Sequence, residues 1–240
     1  VFNGMNASGY MGILDSVRIA NIRLYNIPVT ILDMKALINA PDTASMDAAM
    51  EERWKYGHES IKVFLGLKTM KLIGRIVIDW RKQVLRFPSD EEKIKQNQAA
   101  NAYLFGDNLF TRINLNGVPV TVYVDTGDGT DGYVKIDSWF YEKNKRKIVV
   151  DSLAKKKRRN EYMLHGSRLN MRYEIVRNPI VTFKNRTICP KRDNVYILSL
   201  LEWDYIYQDC TEGVIGYHFF RNLGKEVLFD FHDMRIDVLR

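Results

Sequence analysis

One carboxylate in this 240-residue chain follows directly on an apolar strand, and it is the side chain best suited to acid–base chemistry. Residues 118–124 read VPVTVYV and lead straight into Asp125-Thr126-Gly127. A carboxylate in that position is costly to bury unless it is hydrogen-bonded or shares a proton with another group. Gly127 and Gly129 allow the backbone to approach it closely. Asp-Gly turns are common in proteins, so the function of Asp125 depends on the elements around it.

The elements around Asp125 are predicted to be strands. Asn116-Gly117 is typical of a two-residue hairpin turn, and the segments on both sides of it are apolar. Further segments rich in Val, Ile, Tyr and Phe indicate strands at 13–32, 109–124, 169–183, 195–200 and 227–239. Helix-like patterns occur at 42–56 and 90–104. The sequence therefore predicts a mainly β protein with a few short helices.

An internal repeat organises the chain. The segment 63–87 reads VFLGLKTMKLIGRIVIDWRKQVLRF, and the segment 213–238 reads GVIGYHFFRNLGKEVLFDFHDMRIDV. Each holds two apolar residues and a Gly, a second Gly, an apolar strand that runs into Asp and an aromatic residue, and a final alternating strand. The offset is about 150 residues, and a looser match between 26–30 and 178–182 has the same offset. We interpret the chain as two copies of one unit of roughly 130 residues.

The repeat predicts the domain organisation. The first copy, lacking its beginning, is expected to occupy 1–88, a helical linker 89–106, and the complete second copy 107–240. Ser89 and Glu92 have the capping-box spacing of a helix start. The chain begins at Val1 without a signal-like segment, so it is interpreted as a processed or truncated piece of a longer precursor.

The order of these features resembles the aspartic proteases, in the retropepsin-like form found in bacteria. The resemblance rests on the hairpin that runs into Asp125-Thr126-Gly127, on the apolar-apolar-Gly element Val214-Ile215-Gly216, and on the closing segment YHFFRNLGKEVLFDFHDMRIDVL. It implies one complete retropepsin-like lobe at 107–240, preceded at 1–88 by the second half of a similar lobe.

The resemblance implies an endopeptidase that activates water between two aspartates. Like charges about 3 Å apart cannot both ionise, so such a pair shares one proton. Asp125 would supply one carboxylate, Thr126 would brace the two motifs, and Gly127 would form the tight turn. A β-hairpin between 143 and 172 is expected to form a flap over the cleft, with 155–159 as an exposed loop. The expected substrate-binding residues are Asp128, Gly129, Gly166, Val214, Ile215 and Gly216.

The sequence departs from the family pattern because no second Asp-Thr-Gly or Asp-Ser-Gly occurs in it. Asp42-Thr43-Ala44 is the nearest string, and its context indicates a helix cap. The second aspartate must come from an upstream segment, from a second copy of the chain, or from nowhere. The last case predicts an inactive peptide- or protein-binding module instead. Asp128 also differs from the small residue common at that position, and its charge is expected to raise a pKa nearby or to contact a polar substrate group.

Other classes of function find little support in the sequence. The four His residues lack metal-ligand spacing, no phosphate-binding loop or Gly-x-Ser-x-Gly elbow is present, and no cofactor is predicted. No stretch reaches the ~18 apolar residues of a membrane helix. The net charge of +7 comes from one segment, 142–172, which has eleven basic and three acidic residues. We interpret this segment as a solvated hairpin or loop, with contact to an acidic substrate or to a membrane surface as the alternative. A nucleic-acid partner is not expected.

The two cysteines, Cys189 and Cys210, fit neither a zinc pattern nor a Cys-x-x-Cys motif. In a retropepsin-like lobe the chain would bring them near each other, and both a disulfide and two buried thiols remain open. A bridge would close a loop of about 20 residues and contribute roughly 3 kcal/mol. Because bacterial relatives are often exported, the resemblance implies a periplasmic, secreted or cell-surface location.

Overall fold

The computed structural model describes residues 9–32, 65–89, 99–128, 133–153, 157–162, 168–188, 195–200 and 211–240. The chain divides into two compact units, one of 1–66 with 160–170 and the other of 67–159 with 171–240. The described part of 1–66 includes an antiparallel hairpin of β1 (Gly9–Ile19) and β2 (Ile22–Leu32). This hairpin covers the strand segment predicted at 13–32 and begins four residues before it.

Strands dominate the rest of the described chain, so the predicted mainly β architecture is confirmed. The strands are β3 (Arg75–Asp79), β4 (Val84–Arg86), β5 (Ala102–Phe105), β6 (Asn108–Leu115), β7 (Val118–Asp125), β8 (Val134–Asp137), β9 (Lys157–Tyr162), β10 (Arg168–Ile175), β11 (Val181–Phe183), β12 (Arg186–Ile188), β13 (Val195–Leu200), β14 (Gly213–Gly216), β15 (Glu226–Asp230) and β16 (Arg235–Val238). The helices among the described residues are α1 (Leu67–Ile73), α2 (Ser138–Asn144) and α3 (Tyr217–Leu223).

The large sheet is built around the hairpin of β6 and β7. Its strands follow the order β12-β11-β6-β7-β14-β8-β13-β10-β9, and β5 pairs with β6 off this path. The predicted turn is present: Asn116 and Gly117 have φ angles of 51° and 80°, the left-handed region that a two-residue hairpin turn requires. Alternate residues of β7 are buried, which directs Val120, Val122 and Val124 into the core.

Strand β14 lies between β7 and β8 and carries the apolar-apolar-Gly element. It pairs in parallel with β7 and antiparallel with β8. Gly213 packs so closely against the backbone of Lys135 and Ile136 that a Cβ would collide with the Lys135 carbonyl oxygen. The insertion of β14 therefore requires a glycine at its first residue, and it aligns the ends of β7 and β14.

A second sheet has four strands in the order β16-β15-β3-β4. It joins the two segments that the sequence identified as repeats, because β3 of the first segment pairs with β15 of the second. The helices α1 and α3 have seven residues each, and β3 and β15 have five each. The two segments thus form the same succession of helix, strand and strand.

The structure corrects the predicted helical linker at its end. Residues 90–98 lie outside the described residues, as does the helix predicted at 42–56 with Asp42 at its cap. Ala102–Phe105 form strand β5 rather than helix. Tyr103 lies opposite Phe110 of β6, and the two rings stack with their centroids 5.5 Å apart. Cross-strand aromatic packing of this kind outweighs the weak local helix propensity of the segment.

The predicted flap segment contains strands β9 and β10, which are neighbours in the large sheet. Residues 157–159 belong to β9, so the prediction of an exposed loop is wrong for this part of the basic run. Backbone hydrogen bonds between paired strands offset a repulsion among like charges that water and salt screen. Residues 154–156 and 163–167, Gly166 among them, lie outside the described residues.

Candidate active site

Asp125 is the last residue of β7 and lies opposite Gly216, the last residue of the parallel strand β14. The N–H of Gly127 donates to Asp125 Oδ1 at 3.0 Å, and the N–H of Asp128 donates to the Asp125 carbonyl oxygen at 3.0 Å. The chain therefore turns tightly after the strand and directs a backbone donor at the carboxylate. This is the close approach predicted from Gly127.

The turn after Asp125 packs directly on Gly216. A Cβ at Gly216 would lie 2.5 Å from the Asp128 carbonyl oxygen, 2.8 Å from Asp128 Cβ and 3.0 Å from the Asp125 carbonyl oxygen. The N–H of Tyr217 donates to that same Asp128 oxygen at 3.1 Å. Gly216, the glycine predicted from the repeat, has no side chain and therefore lets the end of β14 pack against the turn after Asp125.

Asp128 forms an ion pair with Lys135 of β8, a residue that the sequence analysis missed. Lys135 Nζ lies 2.9 Å from Asp128 Oδ2 and 3.2 Å from Oδ1, and the two side chains are 7% and 12% exposed. A buried lysine requires an anionic partner because the desolvation of its ammonium group is costly. The signal in the sequence is a lysine placed between the apolar residues Val134 and Ile136.

Burial raises the pKa of Asp125 above its ordinary value of 3.8, and the negative charge of Asp128 raises it further. The N–H of Gly127 and the charge of Lys135 act in the opposite direction without cancelling the rise. The effect expected of a carboxylate at position 128 is therefore present. Asp125 retains its proton to a higher pH than an ordinary aspartate, which suits a group that accepts and donates protons.

Asp137 is a second perturbed carboxyl group that the sequence analysis missed. It ends β8, and burial raises its pKa to about 6. Asp137 ends a buried strand, as Asp125 does, but Lys135 interrupts the apolar residues before it, so its sequence pattern is weaker than that of Asp125.

The structure brings together most of the predicted site residues that it describes. Asp125, Thr126, Gly127 and Asp128 form one turn, and Gly216 lies against it. Val214 is partly exposed, whereas Ile215 is wholly buried, so the Ile215 side chain belongs to the core. Gly129, Gly166, Cys189 and Cys210 lie outside the described residues, and their predicted roles and pairing stay predictions.

Within the described residues, no three His, Cys, Asp or Glu side chains are grouped closely enough to hold a metal ion. Across the same residues, no helix has the length and apolar character needed to cross a membrane.

Solved structures that resemble the chain include two proteases. The EIAV protease complexed with the inhibitor HBY-793 is 16% identical, covers 50% of this chain and 92% of its own, and has a TM-score of 0.32. A retropepsin-like aspartic protease from Rickettsia conorii is 15% identical, covers 48% of this chain and 72% of its own, and has a TM-score of 0.28. The Rickettsia conorii protease is of the retropepsin-like kind that the sequence resembles. No protein-family profile and no curated protein matches the chain.

Proposed function

We propose that the chain is part of an aspartic peptidase in which Asp125 is one of two carboxylates that activate water. One observation carries the proposal: Asp125 ends a buried strand, faces Gly216 across a parallel pair, and has a raised pKa. An aspartate whose charged form is held by hydrogen bonds has a lowered pKa. Asp125 instead keeps its proton more readily, which is what a proton-transferring group needs.

In the proposed reaction, a second carboxylate faces Asp125 and the pair shares one proton. The ionised member removes a proton from a water molecule, and the water oxygen attacks the peptide carbonyl carbon. The protonated member donates a hydrogen bond to the carbonyl oxygen, where negative charge develops. The apparent pKa values then belong to the pair and not to Asp125 alone.

The other residues of the turn would support this carboxylate. The N–H of Gly127 fixes the orientation of Asp125 Oδ1 through its hydrogen bond. We assign Thr126 a bracing contact to the opposing motif, and Asp128, Val214 and Gly216 a place beside the substrate. Ile215 would act from the core by fixing the position of β14.

Cleavage of a mixed peptide library, followed by mass spectrometry between pH 3 and pH 8, tests the proposal. We expect cleavage at mildly acidic pH, inhibition by a statine-type peptide mimic, and at least a 100-fold loss in Asp125→Asn. Asp107→Asn is the matched control, since Asp107 is 73% exposed and forms a surface ion pair with Lys68 at 3.2 Å. Full activity in Asp125→Asn would exclude this site as the origin of cleavage.

A second candidate function is favoured by the presence of only one Asp-Thr-Gly in the 240 residues. It is a protease-like module that binds peptides without cleaving them. In that case the wild-type chain and Asp125→Asn would bind a statine-type mimic with similar affinity in calorimetry, and neither would cleave the library. A peptidase would cleave the library and lose that cleavage in the variant.

A further inference from the structure

The four-stranded sheet has an internal two-fold relationship. Val77 of β3 lies opposite Leu228 of β15, and the two positions are 151 residues apart. The same offset relates three further pairs of residues in the two repeats. Arg75 corresponds to Glu226, Asp79 to Asp230, and Gln83 to Met234, the last two having φ angles of 55° and 49°. The pair of Val77 and Leu228 therefore lies on a pseudo-two-fold axis between the repeats.

Backbone hydrogen bonds on both sides of the axis obey the same relationship. The N–H of Trp80 donates to the Lys225 carbonyl at 3.0 Å, and the N–H of Phe231 donates to the Gly74 carbonyl at 2.7 Å. Trp80 corresponds to Phe231, and Gly74 to Lys225, at the same offset of 151 residues, so exchanging the two repeats turns one bond into the other. A contact of this kind, in which each side presents the same surface to the other, is what a two-fold symmetric dimer has. Here both sides belong to one chain.

The charges on this sheet break the symmetry. Arg75 lies opposite Asp230, and Arg75 Nε is 3.1 Å from Asp230 Oδ2. At the symmetry-related position, Glu226 lies opposite Asp79. Glu226 is balanced from another direction, since the Arg240 guanidinium lies 3.0 Å from Glu226 Oε1. The first repeat thus has the basic residue Arg75 at the position where the second repeat has the acidic residue Glu226.

A second copy of the chain would meet a different pattern at β15. If two β15 strands paired about the same axis, Glu226 of each copy would lie opposite Asp230 of the other. Like charges directly opposite in a sheet are destabilising. The favourable contact of Asp230 with Arg75 would also be lost, although Asp230 is almost fully buried. The charges of β15 therefore favour pairing with β3 and disfavour pairing with β15 of a second copy. Repulsion of this kind excludes an unwanted partner.

We infer that β3, together with β4, occupies the edge of β15 within one chain. A second copy of the chain would otherwise pair at that edge. Taken with the proposed function, on which this step rests, the inference assigns the carboxylate facing Asp125 to the lobe that includes 67–88. A homodimer joined through β15 is not its source.

Disulfide trapping in the full chain tests the inference, because opposing residues of an antiparallel pair lie within disulfide range. Leu228→Cys alone would face itself in a homodimer, whereas Val77→Cys with Leu228→Cys would link one chain internally. Each protein is oxidised, digested without reduction and mapped by mass spectrometry, which also separates the new bond from Cys189 and Cys210. Asp79→Cys with Glu226→Cys gives a second opposing pair nearer the sheet end, in case the buried pair disturbs folding.

We expect an internal 77–228 or 79–226 link in nearly all molecules of the double variants, and no covalent dimer from Leu228→Cys. A 228–228 link between two chains would overturn the inference. So would the absence of an internal link in both double variants. These readouts do not depend on peptide cleavage, so the loss of activity in Asp125→Asn is judged separately.

Discussion

Lys135 Nζ lies 2.9 Å from Asp128 Oδ2, and this buried ion pair stands beside the turn that holds Asp125. The lysine comes from β8, while the aspartate follows β7, so the pair connects two strands that are separated by β14. Its two charges act on Asp125 in opposite directions: Asp128 raises the pKa of Asp125, and Lys135 lowers it. The pair therefore holds the turn in place, and Lys135 limits the rise in the pKa of Asp125 that Asp128 causes.

Lys135→Met should destabilise the protein strongly, because it leaves the Asp128 carboxylate buried without this cation. Breaking a buried pair in this way costs roughly 3–5 kcal/mol. The pKa of Asp125 should rise as well, which moves the acidic limb of any pH–activity profile to higher pH. Urea unfolding at pH 7 measures the first effect, and cleavage or mimic binding across pH measures the second.

Lys145→Met is the control for this substitution, since Lys145 pairs with Glu142 at 3.2 Å in a setting where both side chains are 62% exposed. Its effect should stay within about 1 kcal/mol. Equal effects of the two substitutions would contradict the structural role given to Lys135.

Gly216→Ala should distort the Asp125 turn, because the added Cβ would lie 2.5 Å from the Asp128 carbonyl oxygen and 3.0 Å from that of Asp125. The turn must shift, so we expect lower stability and at least a tenfold loss of cleavage. Gly66→Ala is a matched control, since Gly66 has the same place in the first repeat and a Cβ there meets no described atom within 4 Å. Thermal unfolding and the peptide assay compare both variants with the wild type.

Asp137→Asn should stabilise the protein at neutral pH and leave it nearly unchanged at pH 3–4. Burial raises the pKa of Asp137 to about 6, so the folded state binds a proton that the unfolded state has released. Stability due to this group is present below about pH 4 and is lost as the pH rises through 6. The amide avoids that loss, which is worth up to roughly 3 kcal/mol.

Urea unfolding of wild type and Asp137→Asn at pH 3.5, 5, 6 and 7.5 should therefore show a difference that grows with pH. A constant difference across this range would mean that the carboxyl group of Asp137 titrates normally.

The sequence predicted those parts of the site that depend on local pattern. Asp125 was identifiable because it ends an apolar strand after an Asn-Gly turn, and Gly216 because the repeat marks it. Asp137 also ends a strand, but Lys135 interrupts the apolar residues before it and weakens the pattern. The pairing of Asp137 with Leu198 of β13 in a parallel ladder is a long-range feature that no local pattern contains.

Long-range contacts explain what the sequence did not predict. Lys135 reaches Asp128 only because β14 inserts beside β8, and the sequence contains no local sign of that strand order. The repeat predicted both closing units but not that β3 would pair with β15. Register between strands about 150 residues apart is set by the buried faces of the folded sheet. The difference in charge between Arg75 and Glu226 matters only because that register places Arg75 opposite Asp230.

Asp230→Asn should be far more damaging than Asp79→Asn, although the two aspartates are equivalent in the repeat. Each accepts two backbone N–H groups: Asp79 from Arg81 and Lys82, and Asp230 from the residues at 232 and 233. Only Asp230 is also bound by Arg235 and Arg75, at 3.2 Å and 3.1 Å from its Oδ2. Arg235 is 1% exposed and also lies 3.2 Å from Asp233 and 3.8 Å from Asp237. Asp230 is the most deeply buried of these anions, so its loss should cost roughly 3 kcal/mol.

The effect of Asp230→Asn should also depend on pH. Burial alone would raise the pKa of Asp230, but the N–H of Asp233 and the guanidinium groups of Arg235 and Arg75 outweigh it and hold the pKa below 3.8. A depressed pKa contributes stability above about pH 4 that is lost as the pH falls through the folded-state value. The difference between wild type and Asp230→Asn in urea unfolding should therefore be full at pH 6 and shrink toward pH 2.5. A difference that stays constant, or an equal loss in Asp79→Asn, would show that the buried arginines do not depend on this carboxylate.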